Sequence, residues 1–117
     1  MKLTEVQFGA LAPVDGYGPG FFRVGGKVFE GNVLTDGTLV TTWAGFDDIS
    51  ALLALAGKVD VIFCGMGADI RHLPRETREA LEEAGLGIEV MSTSAAARTY
   101  NVCLSEGRRV AAALLAV

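Results

Sequence analysis

The sequence predicts a single α/β domain over residues 1–117, with a mixed sheet and a β-rich N-terminal elaboration. Three observations lead there. Residues 16–43, GYGPGFFRVGGKVFEGNVLTDGTLVTTW, combine β-forming side chains with glycine turns. Two apolar runs at 59–64 and 88–91 enclose a helical segment, the pattern of strands covered on both faces and joined by a crossover. A third apolar run, 110–117, follows a helix stop.

Within the N-terminal third, Phe21–Val24 and residues 27–29 flank Gly25 and Gly26, the strongest hairpin signal in the chain. Residues 39–43 form a further strand after the Asp36–Gly37 turn. Asp47 and Asp48 are N-terminal acids for a helix through Ala56, with Ile49, Leu52, Leu53 and Ala56 on one face and Gly57 as its stop. Pro74 opens the helix PRETREALEEAG, and Gly85 ends it. Ser92 and Thr93 supply cap hydroxyls for a last helix through about Ser105, closed by Gly107. After that stop, residues 110–117 fit a terminal strand slightly better than a short alanine-rich helix.

Composition limits the function. Half of the 117 residues are hydrophobic and 21% are charged, which is the balance of a folded globular chain. The net charge of −4 argues against nucleic acid, whose binding depends on phosphate neutralisation. The N-terminus carries no continuous apolar core and so does not read as a secretory leader. No stretch reaches the roughly twenty apolar residues of a membrane span, so no direct membrane insertion is expected. Cys64 and Cys103, among apolar neighbours, read as reduced buried thiols. A cytoplasmic protein is the expectation.

The topology fixes where a site belongs. Parallel strands at 59–64 and 88–91 bring Gly65, Met66 and Gly67 beside Met91, Ser92 and Thr93, at the sheet edge where open α/β folds bind ligands. At about 100° per residue, Ser94, Arg98, Asn101 and Ser105 share one narrow stripe of the last helix, opposite Ala96, Ala97, Tyr100, Cys103 and Leu104. That stripe is either a solvated face or one wall of the crevice. In the second case Arg98 offers a fork of donors to a small anion.

Other candidates are weaker. Gly65 and Gly67 follow a strand, but Ile70 stands where a dinucleotide fingerprint needs its third glycine, and no phosphate-loop lysine follows. His72, the single histidine, lies in a loop, where exposure is commoner than catalysis. Asp69, Arg71 and His72 lack metal-ligand spacing, so no metal or cofactor is assigned. Trp43 reads as a core or rim aromatic. Glu76, Glu79, Glu82 and Glu83 with Arg75 and Arg78 read as a solvated helix surface. No residue is given a catalytic role, and binding or scaffolding is favoured over hydrolysis.

The segments GYGPGFFRVGGKVFEGNVL, Trp43, Gly65-x-Gly67, Met91-x-Thr93 and ARTYNVCLSEGRRVAAALL occur in an order that resembles a small family of bacterial and archaeal domains of unknown function. The family includes the mitochondrial respiratory complex I assembly factor three. The resemblance covers roughly residues 3–116. It implies a three-layer fold whose central mixed sheet is mostly parallel with one antiparallel strand, and a terminal strand at Val110. It implies a non-enzymatic soluble adaptor whose partners are subunits of a membrane respiratory or protein-export complex. From it only a pocket of Gly65, Gly67, Thr93, Arg98 and Asn101 is carried over. A patch of Tyr17, Phe21 and Phe22 is the expected partner surface, and the alternative role is an anion-binding protein or degenerate enzyme.

Overall fold

Alternating burial decides the conformation of the C-terminal run. Val110, Ala112 and Leu114 join one apolar cluster, while Ala111 and Ala113 join another. That period of two belongs to a strand buried on both faces. The computed structural model describes residues 5–68 and 71–117, and it has a strand at Val110–Leu114. Residues 1–4, part of the segment read for a leader, lie outside the described residues, as do Asp69 and Ile70, weighed above for metal and dinucleotide motifs.

The described strands are β1 (Glu5–Gln7), β2 (Val14–Gly18), β3 (Phe21–Val24), β4 (Lys27–Glu30), β5 (Val33–Thr35), β6 (Leu39–Thr42), β7 (Val61–Gly65), β8 (Gly87–Met91) and β9 (Val110–Leu114). The helices are α1 (Ser50–Leu53), α2 (Arg75–Glu83) and α3 (Thr93–Ser105). A six-stranded sheet has the order β1-β6-β5-β9-β7-β8, and β2-β3-β4 form a separate antiparallel sheet. In the large sheet β7 pairs in parallel with both β8 and β9, and the other neighbours pair antiparallel. Four strands therefore share one direction, and β5 and the edge strand β1 oppose them.

Three layers result. One cluster joins the face of the central sheet carrying Phe63 and Ala112 to α3 (Ala96, Tyr100, Leu104) and to the small sheet (Val14, Phe22, Phe29). The other joins Ile62, Cys64 and Ala113 to Leu52 of α1 and Leu81 of α2. The chain passes from β7 through α2 to β8, then back across β7 through α3 to β9. Right-handed crossovers of opposite direction put their helices on opposite faces, as found.

Local chemistry sets the turns. Gly25 and Gly26 both have positive φ, 57° and 81°, which the two-residue hairpin between β3 and β4 requires. The helix expected from Asp47 to Ala56 is shorter than its periodicity. Asp48 Oδ1 accepts from the Ser50 amide at 3.1 Å and its hydroxyl at 2.6 Å to start it. Leu55 and Ala56 then donate to the carbonyls of Leu52 and Leu53, three residues back, a tighter winding that ends the helix, and Leu53 lies exposed rather than in the expected core face. In α3 the buried residues are Thr93, Ala96, Ala97, Tyr100, Cys103 and Leu104, the apolar arc read from the sequence with Thr93 added.

Candidate functional site

The strand-end rim joins the segments that the crossover argument brought together. Gly65 of β7 is registered opposite Met91 of β8. Beyond them the Met66 amide donates to the Met91 carbonyl at 2.9 Å, and the Thr93 amide donates to the Gly67 carbonyl at 2.9 Å. Thr93, fully buried, closes the rim with its hydroxyl: Oγ1 accepts from the Gly67 amide at 2.9 Å and donates to the Leu115 carbonyl at 2.8 Å. The Leu115 amide in turn donates to the Gly65 carbonyl at 2.9 Å. Helix start, glycine bend and C-terminal strand are thus tied to one another. Gly65 has no room for a side chain, because a Cβ there would meet the Thr93 Cα at 2.8 Å and Leu114 Cδ2 at 2.9 Å. Gly67 has φ of 100°, which glycine adopts without strain.

Ser92 rather than Thr93 is the N-cap, its hydroxyl accepting from the Ala95 amide at 3.4 Å. The polar stripe of α3 begins there and faces a groove against β2. This groove, about 360 Å³, is walled by Val14, Gly16 and Tyr17 on one side and by Ser94, Arg98, Asn101 and Val102 on the other. Arg98 and Asn101 therefore face a neighbouring hollow, while Gly65, Gly67 and Thr93 make the rim itself. The two halves of the expected pocket are adjacent but not shared.

Asn101 acts as a strand substitute. Its Oδ1 accepts from the Val14 amide at 2.8 Å and its Nδ2 donates to the Val14 carbonyl at 2.8 Å, satisfying the backbone of an edge residue. Arg98 is exposed and forms no hydrogen bond or ion pair among the described residues. The expected partner patch divides as well. Tyr17 is 41% exposed at the groove, but Phe22 is fully buried. Phe22 lies on the face of β3 that packs into the core, so it cannot present itself to a partner, and that expectation is corrected here. Phe21 is half-buried with its ring against Gly18.

Two further titratable groups are buried and keep their protons. Burial pushes the Cys64 thiol up to about 12, which suppresses the thiolate a nucleophile needs. Burial likewise raises the Tyr100 phenol to about 12; its hydroxyl donates to the Ala12 carbonyl at 3.2 Å and lies 3.5 Å from Thr35 Oγ1. His72 is exposed in its loop. Among the described residues no three His, Cys, Asp or Glu side chains gather as metal ligands, and no helix is long and apolar enough to cross a membrane.

One hollow escaped the sequence. About 340 Å³ opens between β5–β6 and α1, lined by Leu34, Leu39, Trp43, Ala51, Leu55 and Lys58 among others. Its walls come from three separated elements, so no local motif announces it. Trp43 was its single visible sign, and its indole N–H donates to the Asp48 carbonyl at 3.3 Å.

Comparison with known proteins assigns the family. An uncharacterised protein of Rhodobacter capsulatus is 57% identical over 115 residues, spanning 98% of this chain and 93% of the relative. A mouse protein named NADH dehydrogenase (ubiquinone) 1 alpha subcomplex assembly factor 3 is 27% identical over 122 residues, 98% of this chain and 66% of its own length. Among solved structures, one described as an outer membrane protein from Bartonella henselae superposes with a TM-score of 0.84 at 36% identity, covering 94% of this chain and 98% of that one. A family model matches residues 14–115, and the chain belongs to the family described as protein of unknown function (DUF498/DUF598).

Proposed function

We propose that this chain is a non-enzymatic adaptor that holds a protein partner during the building of membrane respiratory complex I. The naming of a mouse relative as a complex I assembly factor supports this reading. The observation that carries it is the division of labour along α3. Thr93, Tyr100 and Asn101 hold the fold together through their polar atoms, while Arg98, Tyr17 and Val102 are left at a groove open to solvent. Tyrosine and arginine at an open groove, beside exposed apolar surface, are the side chains that anchor protein partners.

The test is genetic. Deleting the gene from a bacterium that makes complex I should lower the amount of fully assembled enzyme on native gels, and restoring the chain should recover it. Unchanged assembly in the deletion strain would overturn the reading. Capture of protein-export subunits in place of respiratory ones would move the same adaptor to another complex. A second reading, a small-anion binder, is favoured by the guanidinium of Arg98, which has no ion partner among the described residues.

A further inference from the structure

The β2 edge of the small sheet has a backbone position that the fold leaves unpaired. Val24 and Lys27 flank the Gly25–Gly26 turn, so they form a hydrogen-bonded pair and the backbone groups of Val24 point toward β4. Alternation along β3 then directs Arg23 and Phe21 toward β2, opposite Gly16 and Gly18. Val14 and Tyr17, opposite Val24 and Phe22, present their N–H and C=O away from β3, on the outer edge. The bulge at Asp15 adds the residue that makes Tyr17, and not Gly16, the next outward position. The bidentate amide of Asn101 on Val14 confirms this parity. Nothing among the described residues does the same for Tyr17.

The groove continues from Val14 to Tyr17 in step with the helix. From Asn101 back to Ser94, α3 rises roughly 10 Å at ~1.5 Å per residue. That length accommodates about three extended residues at ~3.3 Å each. The same groove is lined by the exposed Tyr17 ring, Val102 at 53% exposure, and Arg98. Asp15, the acid on the groove, is engaged by the Gly26 amide at 2.6 Å. Arg98 is thus the groove's charged side chain without a described hydrogen-bond or ion partner, and its guanidinium can pair with a carboxylate, while Asp15 keeps its own charge beside Gly16.

Two of the other edges, β8 and β4, carry features that oppose an added strand. On β8 the Ile88 carbonyl is occupied by Arg78 Nη2 at 3.0 Å. On β4 the exposed edge carries Lys27 and Glu30, charges that disfavour added strands.

We propose that the β2–α3 groove takes an extended acidic segment of a partner protein, its backbone pairing with Tyr17 and its carboxylate held by Arg98. The mode is strand addition, with main-chain bonds for affinity and Arg98 for selection. It deepens the adaptor role and rests on it.

The probe is a displayed library of random twelve-residue linear peptides selected on the intact chain, with the recovered peptides synthesised for binding and amide NMR. Enriched peptides should carry an acidic residue, shift the Tyr17 amide, and lose affinity at least tenfold on Arg98→Glu, whose exposed site leaves the melting temperature unchanged. A peptide N-methylated at the pairing amide should bind at least tenfold more weakly. Inorganic phosphate and acetate should not displace it. The proposal is overturned if no sequence enriches, if Arg98→Glu or N-methylation leaves affinity unchanged, if shifts map to β4 or β8, or if phosphate or acetate fully displaces the peptide. Failed selection with impaired complex I assembly in the deletion strain removes the groove and leaves the adaptor. Successful selection with normal assembly removes the respiratory role instead.

Discussion

Thr93→Val tests whether the strand-end rim is held by hydrogen bonds or by packing. The substitution keeps the β-branched shape and removes one atom, Oγ1, which accepts from the Gly67 amide at 2.9 Å and donates to the Leu115 carbonyl at 2.8 Å. Thr93 has no exposed surface, but Gly67 and Leu115 are part-exposed, so their freed backbone groups regain water only in part. A neutral buried donor or acceptor left unpaired costs about 1–3 kcal/mol. The added methyl returns about 1 kcal/mol of apolar burial. For the two groups together the net loss is therefore about 1–5 kcal/mol, which for a chain of this size lowers the melting temperature by roughly 3–25 °C. Thr93→Ser is the control, because it keeps the hydroxyl and loses only a methyl, at about 1 kcal/mol. Urea denaturation of the three proteins gives the order: wild type, then Ser, then Val. Amide exchange at Gly67 should accelerate in Val and not in Ser. A Val variant as stable as the Ser variant, or more so, refutes the hydrogen-bond account and makes the rim a packing feature.

Gly65→Ala should destabilise by about 2 kcal/mol or more, since the new Cβ meets backbone at Thr93 Cα, 2.8 Å away, which no rotamer change relieves; thermal melting measures it. Asn101→Ala should cost about 2 kcal/mol through the two lost bonds to Val14, with exchange of the Val14 amide rising more than that of the core strands. Alkaline pH should unfold the chain early. Cys64 and Tyr100 hold their protons up to about 12 when folded, against ordinary values of 9.0 and 10.0. The folded state therefore binds these protons more tightly, and their contribution is complete below about pH 9 and lost as pH rises toward 12. The drop in the urea midpoint between pH 8 and pH 11 should shrink in Cys64→Ala combined with Tyr100→Phe; an undiminished drop assigns it to other groups.

Much of the fold was legible because its signals are local and periodic. The Gly25–Gly26 hairpin, the helix from Pro74 to Gly85 and the strand at 88–91 each follow from residues a few positions apart. The rim was legible for a topological reason: a helix between two buried strands forces them parallel and aligns their ends. Long-range geometry was not legible. Thr93 reads as a cap from its position, but its bond to Leu115 depends on β9 lying beside β7. Phe22 reads as readily exposed as buried, because only the contact of β3 with the core assigns its face. The β2–α3 groove was beyond reach for the same reason, since its walls stand more than seventy residues apart in the chain.

The run Arg98-Thr99-Tyr100-Asn101 unites these two kinds of information. Successive helical residues turn by about 100°, so four in a row face four directions. Thr99 Oγ1 lies 3.7 Å from Met91 Sδ on β8, Tyr100 enters the core to reach Ala12, and Asn101 fastens β2. Three of the four thereby fasten α3 to three different parts of the molecule. That accounts for a polar run that helix periodicity alone leaves unexplained. Arg98 fastens nothing among the described residues, and a guanidinium beside an unpaired strand edge is the one element of the run whose chemistry is directed outward. On the proposed reading, Arg98 is the member of this run that meets a partner. A substitution there should change binding at constant stability, while substitutions at its three neighbours should change stability first.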